Sequence, residues 1–239
     1  MKYIIYKANE RGHANHGWLN AYHSFSFANW HHPDKVHFGV LRVLNDDTIA
    51  GGMGFGMHPH DNMEIITIPL EGALAHKDSM GNAATIETGD IQVMSAGTGV
   101  MHSEFNPNPD QPTKLFQIWL FPNKQNVTPR YQQITLDVNH KENQLIQILS
   151  PNSEDEGVWI HQDAWFYLGN YTQKLEATHH VQKNGNGVYL MCIEGSVSVN
   201  NEIINRRDAI GIWETEFITF EVNEDTKILL MDIPMEINL

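Results

Sequence analysis

Two short segments hold the residues best suited to chemistry: Met57-His58-Pro59-His60 and Met101-His102-Ser103-Glu104. In an extended strand, residues i and i+2 point to one face. His58 and His60 therefore project together, and so do His102 and Glu104. Imidazole and carboxylate both ligate divalent transition ions. Two strands of one barrel, each offering an inward pair, can build a four-ligand site with no helix involved. One His-X-His in a chain with 14 histidines means little, but two such pairs, each near turn glycines, are far more specific. Glu64 stands four residues after His60 and keeps its parity if the strand runs on unbroken. Spacing leaves Glu64 as either a ligand or an outer partner that orients a ligating histidine. Three imidazoles and a carboxylate suit Fe(II), Mn, Co, Ni, Cu or Zn. Four protein ligands on an octahedral ion leave open positions, which favours catalysis or ligand exchange over a purely structural role.

Strands must position these pairs. Turn residues recur every ~8–12 positions, at Asn45-Asp46-Asp47, Gly51-Gly52, Glu71-Gly72, Met80-Gly81-Asn82, Thr88-Gly89-Asp90 and Gly97-Thr98-Gly99. Between them lie β-branched and aromatic runs of strand length, such as Phe38–Leu44, Glu64–Leu70 and Leu115–Leu120. No long amphipathic helix stands out. This pattern predicts an all-β sandwich or barrel. A second half echoes the first: Leu70-Glu71-Gly72-Ala73-Leu74 matches Ile193-Glu194-Gly195-Ser196-Val197, and Gly89-Asp90-Ile91 matches Arg207-Asp208-Ala209. The echo predicts an internal duplication, with one domain over 1–135 and a second over 136–239. The boundary falls between Pro122 and Ser150, and the polar stretch Ser150–Gly157 reads as a linker or surface loop.

Composition narrows the function classes. Lys plus Arg number 15 and Asp plus Glu 29, so the net charge is 15 − 29 = −14. A phosphate backbone repels such a surface, which argues against direct nucleic-acid binding. No apolar run approaches the roughly 18 residues of a membrane span. The start, MKYIIYKANERGH, does not read as a signal peptide. The single Cys192 allows no internal disulfide and fits a reducing compartment, with the cytoplasm expected. Cys192 lies in an apolar run and reads as a buried structural thiol.

Other histidines fit plainer roles. His13, His16, His23, His31, His32 and His37 crowd the first forty residues at irregular intervals. They read as a loop-rich arm packed on the barrel rather than a second metal site. His76 reads as a hydrogen-bonding neighbour of the site. Trp18, Phe25, Phe27 and Trp30 read as core or pocket wall. His179 and His180 are adjacent, so on a strand they face opposite ways.

Gly52, His58-Pro59-His60, Glu64 and Gly72 together resemble the first cupin motif, with one extra residue before the last glycine. Gly89, Gly97, His102 and Asn106 resemble the second, with Ser95 where many cupins have proline. More specifically, the N-terminal half is similar to the pirin family. The matching stretches include His23-Ser24-Phe25-Ser26-Phe27-Ala28, Leu41–Asp47, Gly54–His60, His76-Lys77-Asp78-Ser79-Met80-Gly81-Asn82 and Ala96–Glu104. The resemblance covers about residues 10–122 strongly and the rest weakly. It implies two cupin barrels in tandem (double-stranded β-helix, or jelly-roll), with a metal in the first only. It implies His58, His60, His102 and Glu104 as ligands, and so Glu104 rather than Glu64 as the ligating carboxylate. Fe(II) is the expected ion. Family members usually carry a basic residue after His-Pro-His, whereas Asp61-Asn62 follows here.

The resemblance also implies an activity. Similar bacterial proteins act as quercetin 2,3-dioxygenases, opening a flavonol ring with O2 and releasing carbon monoxide. The expected small-molecule partners are thus a polyphenol and O2. Glu104, or Glu64 if Glu104 is inert, is expected to take the proton of the flavonol 3-hydroxyl as general base. The alternative is a non-enzymatic, iron-binding, redox-sensing regulator that binds a partner protein.

Overall fold

The apolar runs between turns form strands throughout this computed structural model, which describes residues 1–136 and 141–237. The expected boundary zone, 122–150, therefore includes 137–140, which lie outside the described residues. The first series of strands is β1 Lys2–Tyr6, β2 Gly12–Asn15, β3 Leu19–His23, β4 Leu41–Ile49, β5 Gly54–His60, β6 Glu64–Glu71, β7 Ala73–Asp78, β8 Ala83–Glu87, β9 Asp90–Ser95, β10 Val100–Phe105, β11 Thr113–Leu120 and β12 Arg130–Thr135. The second series is β13 Leu145–Ser150, β14 Val158–Trp159, β15 Trp165–Tyr171, β16 Leu175–His180, β17 Asn186–Glu194, β18 Ser196–Val199, β19 Glu202–Asn205, β20 Ala209–Trp213, β21 Phe217–Val222 and β22 Thr226–Pro234. A three-residue 3₁₀ turn, Ala8–Glu10, is the one helical element among the described residues. None of their helices is long and apolar enough to cross a membrane.

Each barrel is built from a seven-stranded and a four-stranded sheet. In the first, the order β12-β9-β6-β11-β4-β3-β2 faces β5-β10-β7-β8. In the second, β1-β20-β17-β22-β15-β13-β14 faces β16-β21-β18-β19. The runs 9-6-11-4 and 20-17-22-15 are equivalent, so the duplication is one of whole barrels. The echoed Glu-Gly pairs sit at equivalent hairpins, with φ +81 at Gly72 and +79 at Gly195. In both hairpins a threonine hydroxyl, Thr113 or Thr226, donates to the carbonyl of the residue after the glycine and accepts its N–H. One strand crosses over: β1, within the stretch 1–135, pairs with β20 of the second barrel. Of the stretch Ser150–Gly157, Ser150 ends β13 and the rest is a loop inside the second half, joining β13 to β14.

Strand parity decides what faces the site. On β11, Phe116, Ile118 and Leu120 join a core shared with Tyr189, Met191, Leu229 and Met231 of the second barrel. Leu115, Gln117 and Trp119 alternate with them and line the interior of the first barrel. Fully burying each large apolar side chain is worth roughly 1.5–3 kcal/mol. A shared core of this size fixes the two barrels against each other. Cys192 is a buried free thiol whose pKa burial pushes up to about 12.

Candidate metal centre

β5 and β10 are antiparallel neighbours, and His58 stands directly opposite His102. A bulge between His102 and Glu104 brings Glu104 opposite Phe55. Three imidazoles converge. The ring centroids lie 4.3 Å apart for His58 and His102, and 4.9 Å apart for both His58–His60 and His60–His102. One ligand atom from each lies within 4.8 Å of the others. The His58 Nδ1 is 2.8 Å from the Gly56 carbonyl, which only accepts, so Nδ1 carries the hydrogen and leaves the Nε2 lone pair free. His102 is buried, and neither of its ring nitrogens has a hydrogen-bond partner. An imidazole orphaned at the meeting point of two others is the donor set a divalent transition ion takes.

Burial, with the neighbouring imidazoles, holds His60 down at about 4 and His102 at about 3 in the metal-free protein. Both are neutral at physiological pH and offer lone pairs without first losing a proton. Glu104 is buried beside His102. The Gln117 amide donates to both its carboxylate oxygens at 3.2 Å, and the Thr67 hydroxyl donates to Gln117 Oε1 at 3.3 Å. Thr67 thereby sets the amide orientation that points N–H at Glu104. Burial pushes Glu104 up to about 7. Glu104 groups with His76 and His102, overlapping the three-histidine group at His102.

Glu64 is placed elsewhere. The chain turns at Asp61–Met63, where Asn62 has φ +42, so β5 does not run on into β6. Parity from His60 is lost, and Glu64 shares its face of β6 with Ile66 and Ile68, toward the second barrel. It accepts a 2.7 Å bond from Ser95 Oγ and a bond from the His161 backbone, beside Arg130. The expected general-base role for Glu64 is therefore corrected: its carboxyl does not face the histidines. Burial raises Glu64 to about 7 from an ordinary 4.5, a difference worth about 3 kcal/mol. The sign follows from proton binding: between about pH 4.5 and 7 the folded state holds a proton that the unfolded state has lost, so stability falls as pH rises. Glu64→Gln is expected to flatten that slope and raise Tm at pH 8, with metal content unchanged. Denaturation at pH 5 and pH 8 with elemental analysis checks this; a drop in bound metal would return Glu64 to the site.

The histidines open into a cavity of about 500 Å³ walled by Trp18, Phe27, Phe55 and Trp119. Sequence spacing did not single out its polar lining. His23 lies 2.9 Å from Asn45 Oδ1, and Asp47 is buried with Oδ1 unpartnered. Burial, with Asp46 and Glu104 nearby, pushes Asp47 up to about 8. Trp119 packs edge-on to His60 at 4.8 Å, and its indole N–H lacks a partner. These residues come from β3, β4 and β11, far from the histidine motifs in the chain. The one sequence signal is alternation along Leu41–Asp47 and Leu115–Leu120, where polar residues interrupt inward positions. His76 is buried on β7, 3.1 Å from Asp78 Oδ2 and 5.3 Å from the His102 ring. Of the N-terminal histidines, His23 alone lines this cavity.

The second barrel differs at the matching positions. Ile218 stands opposite His179 as Val100 stands opposite His60. On that register Phe220 and Val222, both buried in an apolar core, take the places of His102 and Glu104. His179 pairs at 2.8 Å with Asp232, which stands where the first barrel has Trp119.

The family model for pirin matches residues 6–120, and that for the quercetinase C-terminal cupin domain matches 147–233. A quercetin 2,3-dioxygenase of Escherichia coli K12 is 42% identical over 229 residues, covering 95% of this chain and 97% of the relative. A pirin-like protein of Caulobacter vibrioides is 38% identical over 222 residues, covering 92% and 95%. The crystal structure of the bacterial pirin YhhW from Escherichia coli in complex with nickel(II) superposes with a TM-score of 0.92 at 39% identity, covering 98% of this chain and 99% of that one. A solved quercetin 2,3-dioxygenase of Acinetobacter baumannii shares the fold, with a TM-score of 0.78 at 23% identity over 97% and 85% of the two chains. With its paired barrels and relatives this similar over nearly their whole length, the chain belongs to the pirin family of bicupin proteins.

Proposed function

We propose that this protein is a flavonol 2,3-dioxygenase acting on quercetin-type substrates, with one divalent metal, Fe(II) first among the candidates, held by His58, His60, His102 and Glu104. The observation that carries the reading is the orphaned His102, set between two more imidazoles at the base of an aromatic-walled cavity. About 500 Å³ is within the range of cavities that enclose a small organic ligand. The names of the similar proteins support the same chemistry. A divalent ion in this donor set supplies a Lewis acid that acidifies a bound hydroxyl and a centre at which O2 can react.

The chain's own residues do the rest. Glu104, the buried carboxylate grouped with His102, is the residue that accepts the flavonol 3-hydroxyl proton in this reading. Gln117 steadies that carboxylate while the proton moves. Trp18, Phe27, Phe55 and Trp119 enclose the planar ring system and exclude water. The unpartnered Trp119 N–H and Asp47 Oδ1 are the groups available to meet the flavonol's polar rim. In the reaction the flavonol takes up both atoms of O2 and loses one ring carbon as CO. The test is to mix the metal-loaded protein with quercetin and follow loss of flavonol absorbance together with CO release.

A second reading, an iron-dependent regulator that binds a partner protein, is favoured by one feature. Met57, Met101 and Phe105 are exposed on the same two strands that carry the histidines. No turnover with any of Fe, Mn, Co, Ni or Cu would leave that reading in place of the enzyme.

A further inference from the structure

A second cleft, separate from the metal cavity, lies where the two barrels meet. β4 divides them: Asp47 lines the metal cavity, and its neighbour Asp46 lines the cleft, of about 410 Å³. Arg11, Lys114, Arg206 and Arg207 line it against a single carboxylate, Asp46. With their partners Glu71 and Glu194 included, four cations stand against three carboxylates, a positive excess of one in a chain of net charge −14. Lys114 pairs outward with Glu71, and Arg206 with Glu194 at 2.6 Å. Arg11 and Arg207, whose side chains are only 7% and 10% exposed, must share one oxygen, Asp46 Oδ2, at 3.5 and 3.2 Å. Glu194 is a more distant partner of Arg207, at 3.9 Å. Two largely buried guanidiniums on one close carboxylate leave a cation short of a counter-charge, which is costly in a protein interior. Each also keeps an N–H with no partner, at Arg11 Nε and Arg207 Nη1.

The backbone at Arg207 adds a second observation. Its φ is +66, in the left-handed region where side chains cost energy. The equivalent turn of the first barrel has Gly89 there, at φ +99. The second barrel thus tolerates strain to hold a guanidinium at this spot. Phe116 packs under Arg207 at 5.2 Å and Tyr22 under Arg11 at 5.4 Å, so the two forks are held in place before any ligand arrives.

We propose that this cleft binds a small polyvalent oxyanion of the phosphate class, held by Arg11 and Arg207 with Arg206 and Lys114 at the rim. Guanidinium forks match tetrahedral oxyanions by paired N–H donors, and a multiply charged ligand supplies the missing counter-charge. Arg11 belongs to the first barrel and Arg207 to the second, so the anion bridges the seam and stabilises the junction. The site does not depend on the dioxygenase reading.

The test is calorimetric titration of the full-length, metal-loaded protein with inorganic phosphate and with pyrophosphate in ~0.1 M chloride, where longer-range attraction is screened. One saturable site is expected for at least one of these anions, with a rise in Tm. Arg207→Gly should weaken binding at least tenfold and still fold, because glycine suits the left-handed turn. Arg11→Gln should weaken it similarly, and Lys124→Gln, outside the cleft, should not. His58→Ala should keep the binding, which separates this site from the metal. No saturable binding by wild type, undiminished binding in Arg207→Gly, or binding lost only in His58→Ala would each overturn the proposal and leave the cleft a structural ion-pair network.

Discussion

A His58→Ala/His102→Ala double variant is expected to lose its bound metal and, with it, all flavonol turnover. His102 is buried with both ring nitrogens unpartnered, so a bound ion would compensate its burial. His58 faces it across the β5–β10 ladder, its Nδ1 hydrogen-bonded to Gly56 and its other nitrogen free. Removing even an outer partner of a ligand lowers metal affinity by roughly 10–100-fold. Removing two of three converging imidazoles must cost more, because His60 and Glu104 alone cannot enclose an ion. The barrel itself should survive, since the cores around Phe116 and Leu74 do not include these side chains. Elemental analysis after dialysis, with a thermal melt as a folding control, reads the result. Full metal occupancy in the folded double variant would place the ion elsewhere and end the ligand assignment.

Glu104→Gln is expected to separate metal binding from catalysis. The change keeps size and shape but removes the charge and the basicity. Three imidazoles remain to hold the ion, so metal content should fall only in part. Flavonol turnover should drop by ~10²–10⁴-fold, the usual contribution of a positioned general base. The hydrogen-bond chain explains why the site should keep its form: Thr67 still orients Gln117, which still donates to the remaining oxygen at position 104. Turnover under matched metal loading, compared with Glu64→Gln, checks the two carboxylates against each other. Retained turnover in Glu104→Gln with loss in Glu64→Gln would reverse the roles and contradict the direction in which Glu64 points.

Much of the centre could be read from spacing. Residues two apart on a strand share a face, whatever the rest of the fold does. On that rule alone His58 pairs with His60, and His102 with Glu104. The echoed Glu-Gly motifs locate the duplication, because each hairpin needs a left-handed residue at the same place. At Glu64 spacing leaves the role open. Parity holds only within an unbroken strand, and the turn at Asp61–Met63 starts a new count. A shift of one position on β6 exchanges the metal cavity for the seam between the barrels.

The sequence by itself determined the strand character of the chain, the two repeated units and the pairing of His58 with His60 and of His102 with Glu104, because strand alternation and hairpin turns are local geometry. Tertiary structure decided what surrounds them. Asp47, Gln117 and Trp119 reach the cavity from β4 and β11, which lie far from the histidines in the chain and meet them only when the sheets close into a barrel. It also decided that β1 completes the second barrel and that Arg11 meets Arg207 across the seam. Those neighbours are set by which faces must leave water together, and that choice is made by burial over the whole molecule rather than by any short run of residues.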